Sequence, residues 1–144
     1  MAPSELELLV ADGVIREIEA DEATARVELA TARKHVDSAA EVAESDPNGA
    51  FQLAYGAVRK AVVAHMRARG FRIGSGPGAH IKTGRYLVTA FAEQSLAAHV
   101  GAFEDMRRLR NQSEYDALLL DEPDAHDAIG HAHAIVAAVE RDLA

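Results

Sequence analysis

Cysteine is absent from this chain of 144 residues, which excludes a disulfide framework and a thiolate zinc site. Aromatic side chains are scarce, at 5%. Tyr55, Tyr86 and Tyr115 are too few, and too interior in pattern, to form a platform for stacking the bases of a single strand. No apolar run approaches the roughly 20 residues needed to cross a bilayer. The opening MAPSELELLVADG lacks the basic stretch of a signal peptide. A cytoplasmic protein without membrane association is therefore expected. There is no Ser–His–Asp order, and the glycines of GFRIGSGPGAH lack the lysine and strand context of a phosphate loop, so that segment reads as a flexible linker.

Acids are missing from residues 47–92, which carry Arg59, Lys60, Arg67, Arg69, Arg72, Lys82 and Arg85. Both flanks are acidic, and the net charge of −8 argues against a coat for non-specific DNA binding. A basic middle between acidic flanks can dock an anion, or it can pair with acidic neighbours inside the fold.

What the chain has in abundance is alanine, which supplies much of the 49% hydrophobic content. Alanine is the best helix former and a small packer, so closely approaching helices are expected. Ser4 and Glu7 have the form of a capping box, and Leu6, Leu9, Val10 and Val14 recur at helical spacing, predicting a short helix over 4–18. A second helix is predicted over 22–44, with Ala23, Val27, Ala30, Ala39 and Val42 on its apolar side. Pro47, capped by Ser45 or Asp46, starts a third that ends at Gly70 and buries Phe51, Ala54, Tyr55, Val58, Val62 and Met66. A fourth starts between Gly78 and His80 and buries Ile81, Leu87, Val88 and Phe91. A fifth, over 94–111, turns Leu96, Val100, Phe103, Met106 and Leu109 inward. The last begins near Pro123 and carries Ile129, Ile135, Val136, Val139 and Leu143. No strand pattern competes. The expected architecture is all-α, an antiparallel (up-and-down) helical bundle of about five to six helices. It forms a single domain over 1–144, with its core over 22–142.

Residues 105–116, DMRRLRNQSEYD, concentrate hydrogen-bonding capacity. Positions four apart are neighbours on a helix, so Arg110 lies near Glu114 and Asn111 near Tyr115, with Arg107 one turn before Arg110. Such a group can hold a phosphate through bidentate arginines. It can equally tie the helix to its neighbours, with Glu114 and Asp116 as internal partners.

AYGAVRKAVVAHMRARGFR, the loop with GAH, and LRNQSEYD together resemble, in order and spacing, the HEPN superfamily. These are small helical bundles of prokaryotic toxin–antitoxin and related defence systems, and the resemblance spans about residues 22–142. HEPN ribonucleases carry an arginine, often a polar residue after it, and a histidine four to six positions on; two protomers bring these groups together and cleave RNA without a metal. Arg110 and Asn111 occupy the first two positions, but the histidine position falls at Tyr115, and none of residues 111–117 is histidine. Histidine titrates near neutrality and tyrosine near 10, so tyrosine is the poorer proton carrier. The resemblance therefore implies a homodimeric, non-catalytic binding module for RNA, a nucleotide or a partner protein. Its binding residues would be Arg107, Arg108, Glu114 and His80, the last opening the helix after the glycine loop. The alternative is a metal-independent endoribonuclease, the toxin of a pair with a cognate antitoxin, using Arg110, Asn111 and Tyr115.

The remaining histidines suggest no further site. His35, His65, His99 and His126 stand singly and read as surface or packing residues. In DEPDAHDAIGHAH, His131 and His133 face different ways on a helix. Asp127 and His131 are a turn apart, but a metal would need a third ligand such as Asp124. No metal and no cofactor is expected.

Overall fold

The computed structural model describes residues 2–144. Its elements are α1 (Glu5–Ala11), β1 (Ile15–Glu17), α2 (Glu22–Val42), α3 (Pro47–Arg69), β2 (Phe71–Ile73), α4 (Ala79–Ala90), a 3-10 turn (Gln94–Leu96), α5 (Ala97–Tyr115) and α6 (Glu122–Leu143). The fold is an all-α helical bundle. Among the described residues no helix is long and apolar enough to cross a membrane.

The helix boundaries follow local chemistry. The Ser4–Glu7 capping box is closed by reciprocal bonds of 3.1 and 3.2 Å. Asp21 accepts from the Thr24 N–H and Asp46 from the Gly49 N–H. Each satisfies one of the donors that a helix start leaves free. Gly70 closes α3 with φ +85°, the left-handed conformation glycine adopts without penalty.

α3 is the axis of the molecule. It packs between α2 and α6, with α4 and α5 laid along its remaining face. Small side chains dominate the contacts among α2, α3 and α6: Ala32, Ala54, Ala57, Ala61, Ala128 and Ala132 are all buried. Close approach of backbones here replaces the bulk that aromatics would supply.

The structure corrects several sequence expectations. The first helix stops at Ala11, because Gly13 turns the chain at φ +75°. Residues 15–17 then form a strand, paired antiparallel with 71–73 in the register Ile15 to Ile73, Arg16 to Arg72 and Glu17 to Phe71. Three residues of the presumed linker, Phe71–Ile73, are thus ribbon. The Gly74 N–H donates to the Val14 carbonyl at 2.9 Å, and a Cβ at Gly74 would collide with the Gly13 carbonyl oxygen. The buried face of α2 is Ala25, Leu29, Ala32, Val36 and Ala39, whereas Val27 is 67% exposed. On α4, Ile81 and Val88 are 53% and 56% exposed; Thr83, Tyr86 and Leu87 face the core instead. α5 runs one turn beyond Asn111, to Tyr115.

A polar clasp closes one end. His65, buried on α3, meets the Tyr86 hydroxyl through Nδ1 at 2.8 Å and Asp142 of α6 through Nε2 at 2.6 Å. Arg69 also donates to the Asp142 carboxylate, at 2.8 Å. Burial pushes the His65 imidazole below its ordinary range despite the carboxylate, and it pushes the Tyr86 phenol up.

Candidate functional site

At the other end of the α3–α4–α5 face, a helical repeat of four puts Tyr55 and Arg59 of α3 one above the other. The Tyr55 hydroxyl lies 2.6 Å from His80 Nδ1, at the start of α4. The two rings are 3° from parallel with centroids 5.9 Å apart, and Phe103 of α5 stacks on Tyr55 at 5.5 Å. The Arg110 guanidinium carbon stands 5.7 Å from the centre of the Tyr55 ring, within cation–π range.

Carboxylates from the same helix hold two of the arginines. Glu104 takes Arg107 in a bidentate pair at 3.0 and 2.5 Å, which draws the Glu104 carboxyl below its ordinary range. Glu114 lies 3.4 Å from Arg110. Arg59 has no such partner. Its Nε is buried and is, among the described residues, the one fully buried side-chain nitrogen or oxygen without a hydrogen bond. Three guanidiniums face two carboxylates, leaving one positive charge over.

Burial and charge together set the protonation of the polar groups. Desolvation pushes the His80 imidazole below its ordinary value, and Arg59, Arg110 and Arg107 add to that shift. Both effects disfavour the charged imidazole. Desolvation also raises the Tyr55 phenol, against the pull of the same arginines. A protonated phenol can donate to a neutral ring nitrogen; with Nδ1 accepting, the imidazole proton sits on Nε2.

The structure thus brings together His80, Arg107, Arg110 and Glu114 from the sequence-predicted set. Arg108 turns outward to Glu104 and Asp105, both at 3.7 Å. Asn111 is half-buried, and the bond joining this end of α5 to α3 comes from Ser113, which donates to Asn48 Oδ1 at 2.6 Å. Tyr115 is 78% exposed, on the last turn of α5, and does not have the interior position its pattern suggested. Tyr55 and Arg59 join the site without having been singled out; the signal available was a tyrosine followed by an arginine one turn on, within a run of alanines.

Elsewhere, His99 and His131 meet across α5 and α6 with Nδ1 atoms 3.0 Å apart, so His131 pairs with His99 and not with Asp127. Among the described residues no group of three or more His, Cys, Asp or Glu is placed to hold a metal.

No family model matches the chain, and neither a curated protein nor a solved structure is found to resemble it.

Proposed function

We propose that this protein is a HEPN-like, homodimeric, non-catalytic module that binds phosphate groups of RNA or a nucleotide at the Arg59–Arg107–Arg110–His80 cluster. The observation that supports the proposal is the Arg59 guanidinium, half-buried and without a carboxylate partner among the described residues. A half-buried charge without a counter-ion is costly, and an anion at its outer N–H groups supplies one. The Nε2–H of His80 adds a neutral donor on the same side, and the surplus positive charge has no carboxylate left to meet it. Exposed Arg108 extends the positive surface on α5.

The test is fluorescence anisotropy with a short labelled single-stranded RNA, at low and high salt. Arg59→Met is expected to weaken binding about tenfold or more, the scale of one charge-assisted hydrogen bond. Affinity is expected to fall as salt rises, because counterions are released from the phosphates. Unchanged affinity in Arg59→Met, or binding indifferent to salt, would sink the proposal.

A second reading, RNA cleavage without a metal by a toxin that pairs with a cognate antitoxin, rests on one observation: an imidazole whose charged form is disfavoured, beside Arg110. In that case the Tyr55–His80 bond must reverse, with Nδ1–H donating to the phenol oxygen so that Nε2 can take a proton. Arg110 would then meet charge building on the phosphate. RNA cleavage that persists in EDTA and disappears in both His80→Ala and Arg110→Ala would favour this reading over the first.

A further inference from the structure

A groove of about 340 Å³ runs between α4 and α5. Leu9, Ile81, Val88, Val100 and Phe103 give it an apolar lining. Two helical glycines face it. A Cβ at Gly101 would meet nothing within 4 Å, and one at Gly84 would touch only the Phe103 ring. Glycine inside a helix costs about 1 kcal/mol relative to alanine, so these positions give up stability while leaving the trough open.

The groove and the arginine cluster are neighbours along α4 and α5. On α4, Gly84 in the groove is one turn from His80. On α5, Glu104 in the groove is one turn from Arg107 and nearly two from Arg110, about 9 Å along the axis. Phe103 belongs to both, lining the groove and stacking on Tyr55. Two of the polar side chains at the rim are hydrogen-bonded, and Arg85 remains open. Thr89 donates to the Arg85 carbonyl, Glu104 holds Arg107, and Arg85 leans to Asp12 at 4.0 Å. A nucleobase laid in this trough would find Arg85 alone as a side-chain partner for its edges; a hydrocarbon body needs none.

We infer that the groove and the arginines form one site for a free amphiphilic anion, with a hydrocarbon body between α4 and α5 and an anionic head at Arg59, Arg107 and Arg110. The inference rests on the anion-binding reading above for its head group. It adds that such a ligand competes with RNA for the same arginines.

The probes are octyl phosphate kept below its micelle concentration, 1-octanol and inorganic phosphate, each titrated by calorimetry. Octyl phosphate is expected to bind at least about tenfold more tightly than either fragment, since each buried methylene contributes. It is also expected to displace labelled RNA. Gly101→Leu, which fills the trough with a good helix former, is expected to reduce octyl phosphate to the affinity of inorganic phosphate, with melting temperature and phosphate affinity kept.

Octyl phosphate binding no better than inorganic phosphate, or binding unaltered by Gly101→Leu, would overturn the inference. So would octanol binding as tightly as octyl phosphate, since the head would then be idle. Co-sedimentation with phosphatidylglycerol vesicles without binding of the monomer would assign the surface to a lipid bilayer and overturn it too. Failure of the wild type to bind RNA, with octyl phosphate still bound and still sensitive to Gly101→Leu, would remove the nucleic-acid reading and leave this one standing.

Discussion

The Tyr55 hydroxyl lies 2.6 Å from Nδ1 of His80, and the planes of the two rings differ by 3°. One bond therefore joins Tyr55 of α3 to the first turn of α4, and its direction is coupled to the imidazole tautomer. Tyr55→Phe keeps the stack on Phe103 and removes only that bond. It is expected to cost about 1 kcal/mol of stability. In the wild type, nitrogen chemical shifts of His80 should show the proton on Nε2; in Tyr55→Phe they should show a mixture. A wild-type proton found on Nδ1 would reverse the donor assignment.

Arg59→Met separates folding from binding. The side chain keeps its length and hydrophobic stem, but a buried Nε without an acceptor disappears. Thermal or denaturant unfolding should show stability unchanged or raised by up to about 1 kcal/mol, while RNA affinity falls. A loss of more than that would mean Arg59 holds the fold together.

Stability should decline on mild acidification. His65, His80 and His131 all have imidazoles pushed below their ordinary value, burial being the largest cause in each. The unfolded chain then binds more protons than the folded one as pH falls through the ordinary histidine range near 6.5, so stability rises with pH in that window. The melting temperature is expected to drop between pH 7.5 and 5.5. The carboxylates of Glu104, Glu140 and Asp142, lowered chiefly by side-chain hydrogen bonds from Arg107, Arg33 and His65 respectively, contribute above the ordinary carboxylate range and lose their share only at lower pH. A flat melting temperature down to pH 5.5 would contradict the histidine account.

Two glycines should answer alanine in opposite ways. Gly130 lies within α6 with open space where a Cβ would go, so Gly130→Ala is expected to stabilise by about 1 kcal/mol. At Gly74 the Cβ meets the Gly13 carbonyl, and Gly74→Ala is expected to destabilise by about 1–3 kcal/mol. Denaturant midpoints of the two variants decide both.

Much of the fold is legible in the residues. Asp46 and Pro47 start α3 and Gly70 ends it through caps that act locally, and the face from Phe51 to Met66 is unambiguous because large side chains mark it. The face of α2 is harder. With alanine on every side, Val27 looked like a core residue, and only packing against α3 and α6 selects Leu29 and Val36. The ribbon was invisible because three-residue strands carry no period, and Ile15 and Ile73 are far apart along the chain. At the site, the resemblance named both His80 and Arg110 as candidates. Tyr55 and Arg59 were missed because a tyrosine in an alanine-rich helix reads as core, and only the neighbouring helices show what its hydroxyl meets. Ile81 and Val88 were expected inside, but they wall the groove.

The ribbon has a mechanical consequence. β2 leads directly into the glycine segment before His80, where Lys82 holds the chain by donating to the Ser75 carbonyl at 2.9 Å, and β1 is stitched to β2 from Ile15 to Glu17. The ribbon, through the Gly74 N–H bonded to the Val14 carbonyl, therefore ties the segment that follows α1 to the segment that leads into α4.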